Sequence, residues 1–228
     1  MAIRRPYVLL SAAVSVDGYL DDASPERLLL SNPEDFDRVD EVRASCDALL
    51  VGGNTLRVDN PRLLVNSAER RAARVAAGRP EYPLKVTLSA SGALDPALRF
   101  WHTGGAKLVF TTTAAAPGLR QRLAGLAEVA APGERVALPA VLDELGRRGV
   151  ERLMVEGGGG VHTQFLAEGL ADELHLAVAP LLVGRPAAPR FLGPADFPGG
   201  PGRRMRLLGA RTVGDVVLLR YAPKESTP

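Results

Sequence analysis

The stretch VERLMVEGGGGVHTQFL, residues 150–166, decides how the chain is read. Leu153, Met154 and Val155 form a short apolar run bounded by charge, with the length and composition of a buried strand. Four glycines follow, Gly157 to Gly160, and then a pattern that predicts a helix from Val161 to Glu168, stopping at Gly169. A strand, a bare turn and a helix N-terminus together suit an anion, because glycine lets a ligand approach the backbone and the first helical N–H groups point outward. Glu156 stands at the C-terminal end of the strand, where α/β proteins build their sites. Read alone, the same glycines also fit a flexible loop beside a solvated carboxylate, so the rest of the chain has to decide.

Outward from this stretch, strands and helices alternate. Strands are expected at Tyr7 to Val16, Asp47 to Val51, Leu84 to Ser89, Lys107 to Thr111, Ala127 to Ala131 and Val150 to Val155. Ser31-Asn32-Pro33-Glu34-Asp35 reads as a helix start: a polar cap, proline in the first turn and acids against the dipole. That helix would run to about Ala44, with Phe36, Val39, Val42 and Arg43 spaced around its turns. A short helix capped by Asn54-Thr55 is expected before Asn60-Pro61, an arginine-rich solvated helix over 66–77, a weak one through Leu119 to Leu126, and an amphipathic one over Leu138 to Arg148. Asp172 to Ala179 and Val213 to Arg220 are apolar runs with a long Pro/Gly-rich loop, Leu182 to Gly202, between them. The fold expected is a single α/β domain: a mostly parallel central sheet, helices on both faces, and a C-terminal antiparallel strand pair.

Composition narrows the function. The 228 residues are 46% hydrophobic and 24% charged, with a net charge of +2, which makes no electrostatic case for nucleic acid. One cysteine, Cys46, excludes an intrachain disulfide framework, and three scattered histidines give no metal-ligand spacing. No apolar run approaches the roughly 18 residues of a membrane span, and the basic-then-apolar N-terminus continues into strand-like sequence, so a cytoplasmic protein is expected. An ordinary dinucleotide-binding domain would carry its glycines after the first strand; here that strand ends at Asp17-Gly18 and the glycines come late. The polar strand ends Ser15/Asp17, Gly52 to Thr55, Ser89 to Ser91, Thr111 to Thr113 and Glu156 would fall on one edge of a parallel sheet. They are enough to line a cleft for a phosphate-bearing cofactor and a polar substrate, and Gly53 and Ser89 are placed on its cofactor side.

Three segments, SAAVSVDGYLDD (11–22), LRVDNPRLLV (56–65) and VEGGGGVHTQFLAEGLADELHLAVAPLLVG (155–184), carry a resemblance to the reductase domain of bacterial riboflavin biosynthesis, a relative of dihydrofolate reductase. Their order and spacing fit over most of the chain, Tyr7 to Gly184, and no deaminase domain is expected ahead of them. The resemblance implies NADPH as cofactor, lying against Ala13, Thr55, Asp59 and the turn Gly158, Gly159, Gly160, Val161, His162, Thr163 and Gln164. It implies substrate contacts at Arg43, Leu63 and Glu156, and a homodimer. The chain departs from the family pattern at Ser11, Arg27, Leu29 and Asn66. Arg27 partly compensates for a lost basic position, and Asn66, a neutral amide, binds a phosphate less strongly than arginine.

The implied reaction reduces C1′ of a phosphoribosylamino-pyrimidine, opening the ribose to a ribityl chain. Asp59 or a bound water is expected to carry the proton, and Glu156 to accept hydrogen bonds from the pyrimidine. Two other readings are a relative acting on another pyrimidine, pterin or imine, and a non-catalytic nucleotide-binding module.

Overall fold

The computed structural model describes residues 4–26 and 28–223; Arg27, expected near the substrate, lies outside them. The strands are β1 (Tyr7–Ser15), β2 (Ala48–Gly52), β3 (Leu84–Leu88), β4 (Lys107–Phe110), β5 (Glu128–Ala130), β6 (Arg152–Gly157), β7 (Glu173–Ala179), β8 (Arg206–Val213) and β9 (Val216–Ala222). They hydrogen-bond in the order β5-β4-β3-β2-β6-β1-β7-β9-β8. The helices are α1 (Pro33–Ser45), α2 (Gly53–Asp59), α3 (Ala68–Ala76), α4 (Arg99–His102), α5 (Ala116–Arg122), α6 (Leu138–Arg147) and α7 (Gly159–Ala167). The alternation and the mostly parallel sheet match the sequence expectation.

Backbone contacts divide the chain into two compact units, described separately below: Met1–Tyr7 with Asp40–Met154, and Val8–Val39 with Val155–Pro228. In the first, β2, β3, β4 and β5 pair in parallel in that order. Leu49, Leu50, Val86, Leu108, Val109 and Phe110 are fully buried, as near-continuous apolar runs in a parallel sheet require. Asp47 stitches the strand starts together: its carboxylate accepts from the backbone N–H groups of Glu151 and Arg152 and pairs with Arg79 at 2.8 Å.

In the second unit β1 and β7 are parallel, with Ala13 opposite Ala177, and β7 then pairs antiparallel with β9. The antiparallel C-terminal arrangement was expected, but its composition differs. The segment from Val213 holds the turn of a β8–β9 hairpin, with Gly214 at φ +59°, so strand β9 starts at Val216. Strand β8 was not anticipated, because most of its residues are exposed and it lacks an apolar run.

Among the described residues no helix is long and apolar enough to cross a membrane, and no group of three or more His, Cys, Asp or Glu side chains is placed to hold a metal ion.

Candidate active site

The glycine stretch folds into the turn its composition calls for. Strand β6 runs buried to Val155, Glu156 is half-buried, and Gly157 takes φ +145°, a value side-chain-bearing residues rarely adopt. Helix α7 then starts at Gly159, two residues earlier than periodicity predicts, because glycines carry no apolar signal. No side chain caps its first turn and no acid lies there, so nothing from the helix itself competes for the anion position.

What fixes this turn lies some thirty residues further on. An ideal Cβ on Gly159 would stand 2.6 Å from the carbonyl oxygen of Arg190 and 3.2 Å from that of Phe191, so the helix start touches the backbone of a strap over 189–193. The Gly193 N–H donates to the Thr163 hydroxyl (2.9 Å), which itself donates to the Gly159 carbonyl (2.7 Å). The strap is held in turn by the Asp17-Gly18 region. Leu20 N–H donates to Pro189 O, Phe191 N–H donates to Gly18 O, and the Arg190 guanidinium donates to the Tyr19 hydroxyl at 2.7 Å.

Asp17 was expected to line the cleft as a polar strand end. Its carboxylate is instead used internally, accepting from the Ser15 hydroxyl (2.6 Å) and from the N–H groups of Val183 (3.0 Å) and Gly184 (2.7 Å). Led by the Ser15 hydroxyl, with the two amides adding to it, these bonds lower its pKa from the ordinary 3.8 to about 2. A carboxylate whose folded-state pKa is depressed contributes stability above its unfolded value and loses it as pH falls through the folded one. The thermal-stability gap between the wild type and Asp17→Asn is therefore expected to be constant above about pH 5 and to close between about pH 4 and pH 2 in an acid series of melting curves.

His162, expected on the cofactor side, is fully buried, with its ring 5.3 Å from that of Phe191 and neither ring nitrogen hydrogen-bonded among the described residues. Burial lowers its pKa to about 4, so it is a neutral prop joining α7 to the strap. Gly160 is the open side of the turn: it is exposed, and a Cβ there would meet nothing within 4 Å. Ala13 is partly buried on β1.

The other unit places the remaining candidates. Helix α2 begins against the end of β3, where a Cβ on Gly53 would stand 2.9 Å from the Leu88 carbonyl and 3.3 Å from Ser89. This approach admits only glycine, and Gly52 rather than Asn54 or Thr55 is the N-cap, without side-chain capping. Thr55 is therefore not spent on the helix end; it is half-buried, with Asp59 exposed one turn on. Ser89 is 5% exposed, and its hydroxyl has no hydrogen-bond partner among the described residues.

Of the residues expected to contact substrate, Arg43 donates to the Leu64 carbonyl at 2.9 Å and Leu63 sits in the left-handed region at φ +50°. Leu63 is also 4% exposed, so it is buried. Asn66 is exposed, and its backbone N–H, like that of Ser67 (3.1 Å), donates to the buried Asp40 carboxylate. Leu63 and Asn66 thus share one loop, which helix α1 supports through Arg43 on the Leu64 carbonyl and through Asp40 on the Asn66 and Ser67 N–H groups. Asp40 went unnoticed in the sequence because an acid within a helix reads as solvated, and the strap did so because it lies in Pro/Gly-rich sequence.

The family model described as the RibD C-terminal domain matches residues 6–219. The 2,5-diamino-6-ribosylamino-4(3H)-pyrimidinone 5′-phosphate reductase of Archaeoglobus fulgidus is 38% identical over 194 residues, 85% of this chain and 89% of that protein. The enzyme of the same name from Methanothermobacter thermautotrophicus is 33% identical over 222 residues, 96% and 99% of the two chains. Among solved structures, Acinetobacter baumannii RibD superposes with a TM-score of 0.79 at 27% identity, covering 96% of this chain and 58% of that longer one. By sequence and by coverage, the chain belongs to the RibD C-terminal domain family.

Proposed function

We propose that the chain is an NADPH-dependent reductase that converts the ribosyl group of 2,5-diamino-6-ribosylamino-4(3H)-pyrimidinone 5′-phosphate to ribityl. The observation that carries this reading is the bare, uncapped turn at Gly158 to Gly160 in a chain 38% identical to a reductase named for that substrate. The relatives' name also favours the diamino-pyrimidinone over its deaminated uracil form.

The residues present suit a dinucleotide: the uncapped start of α7 would hold phosphates, with Gly160 open and Gly159 backed by the strap. Thr55 and Asp59 on α2, with Ala13, Gly53 and Ser89, complete the cofactor set, and Val161, Thr163 and Gln164 follow the turn. The bound cofactor supplies hydride for C1′. Arg43, Leu63 and Asn66 hold the phosphorylated sugar and Glu156 accepts hydrogen bonds from the pyrimidine. As the ribose opens, its ring oxygen must take up a proton, and we assign that delivery to Asp59 or a water it orders. The protein acts in the cytoplasm as a single reductase domain that pairs into a homodimer.

NADPH oxidation assayed in parallel with the diamino-pyrimidinone, its deaminated form and dihydrofolate tests the reading. Turnover with the first is expected, and turnover with dihydrofolate alone would overturn it. Asp59→Asn is expected to slow single-turnover hydride transfer about 100-fold. An unchanged rate would remove Asp59 from the proton route.

A further inference from the structure

The loop carrying the substrate candidates is held by cations on its carbonyl oxygens. Arg99 donates to Asn60 O through Nε (3.1 Å) and Nη2 (2.8 Å), Arg43 to Leu64 O, and Arg71 to Val65 O (3.0 Å) and Asn66 O (2.6 Å). The remaining cation is Lys85, and it differs from the others. It lies on β3 with 0% exposure, on the strand face it shares with buried Thr87, where an aliphatic residue would be the ordinary choice. Its Nζ donates to the carbonyls of Arg62 (2.9 Å), Phe100 (2.5 Å) and Thr103 (2.9 Å) and to the Thr103 hydroxyl (3.0 Å), and stands 4.6 Å from the centre of the Phe100 ring.

Every one of these acceptors is neutral. A buried ammonium without a carboxylate is expensive, and burial, with Lys107 adding to it, lowers its pKa to about 7. Packing alone does not explain such a group, since methionine fills the same space without the charge. What the buried amine accomplishes through its hydrogen bonds is convergence. It draws the short helix α4 and the Arg62 peptide onto one point, and the Thr103 hydroxyl reinforces the join by donating to Arg62 O at 3.1 Å. The Arg62 and Leu64 carbonyls flank Leu63, whose φ of +50° an L residue rarely adopts unless its surroundings impose it.

We propose that Lys85 is a positioning residue for the substrate. By holding the Arg62 carbonyl while Arg43 holds that of Leu64, it imposes the left-handed backbone at Leu63 and fixes the face the loop presents. This rests on the reading above that Arg43, Leu63 and Asn66 contact the phosphorylated pyrimidine.

The test is Lys85→Met, which keeps chain length and removes every donor, assayed with NADPH and the diamino-pyrimidinone phosphate. The KM for the pyrimidine is expected to rise about tenfold, with kcat and the Kd for NADPH each within about twofold of wild type. A folded variant with unchanged KM overturns the proposal, as does one in which KM, kcat and NADPH affinity all worsen together, since that is general loosening. Should Lys85→Met not fold, Thr103→Val decides: it removes one hydroxyl from the same junction, and a KM raised about threefold is expected. An unchanged KM there overturns the proposal as well. A wild-type protein that does not turn over the pyrimidine fails the underlying reading, and this inference with it, before any variant is compared.

Discussion

Gly159→Ala is expected to disable the glycine turn, whereas Gly160→Ala, one residue on, is expected to leave the fold intact. The methyl group at 159 would arrive 2.6 Å from Arg190 O and 3.2 Å from Phe191 O. Neither atom belongs to a side chain that can swing away. The strap can retreat only by giving up Leu20 N–H to Pro189 O, Phe191 N–H to Gly18 O and Gly193 N–H to the Thr163 hydroxyl. With about 1 kcal/mol for each bond lost, or a similar overpacking cost if the strap stays, the loss is about 2–3 kcal/mol. For a chain of this size that lowers the melting temperature by roughly 5–10 °C, and NADPH affinity is expected to fall more than about 100-fold. At Gly160 a Cβ meets nothing, and alanine is the better helix former by about 0.5–1 kcal/mol, so the apo protein should melt slightly higher. If the cofactor approaches the bare backbone there, Gly160→Ala nevertheless binds NADPH more weakly. Melting curves without cofactor, paired with fluorescence titration of NADPH, separate the two effects. Wild-type affinity in Gly160→Ala would move the cofactor away from this face of the turn.

The second large effect is expected at a buried ion pair of helix α1. Asp35 is 0% exposed; one carboxylate oxygen accepts from Arg38 Nε at 2.7 Å, and the other has no hydrogen-bond partner among the described residues. Arg38 is 6% exposed and its Nη1 lies 3.5 Å from Nδ1 of His175, whose Nε2 lies 2.9 Å from Glu173. Arg220 closes the row, donating to the same Glu173 oxygen at 2.9 and 2.6 Å. Arg38→Met would leave the Asp35 carboxylate buried with its cation gone. Breaking a buried pair in this way costs about 3–5 kcal/mol, a drop of roughly 10 °C in melting temperature. Adding Asp35→Leu is expected to restore most of the loss, because two apolar side chains replace a buried pair at little cost. A double mutant no more stable than Arg38→Met alone would show that the pair is not the source of the loss.

That helix also shows where sequence pattern stops being legible. Its start was readable: the Asn32 side chain does accept from the Asp35 N–H at 2.7 Å, with Pro33 at the first position. Its inward face was not. The buried positions are Asp35, Arg38 and Asp40, whereas Phe36 is 49% exposed, the reverse of what hydrophobic periodicity expects. Charges that satisfy one another inside a protein look, in a sequence, like a solvated surface. Lys85 was hidden in the same way, because LKVTL alternates like a half-exposed strand. Helix α4 was hidden for a different reason: four residues, RFWH, are too few to show a period, although Phe100 and Trp101 are core. By contrast the alternation of strands and helices, the late glycine turn and the short helix after Gly53 depend on local chemistry and were legible. In the candidate site, Thr55, Asp59, Glu156 and the glycine turn were nominated by residue type and spacing alone. The supports could not be, since Asp40, Lys85 and the strap act across gaps of many residues.

One such gap has a consequence for synthesis. The Thr163 hydroxyl that ties the glycine turn takes its bond from Gly193, 30 residues later in the chain. A ribosome that has released residue 165 has delivered every letter of the motif but none of the strap that backs Gly159. Until the strap is delivered, the emerging polypeptide holds a recognisable signature without the backbone that backs its turn, and the turn's final shape must wait for sequence that carries no signature of its own.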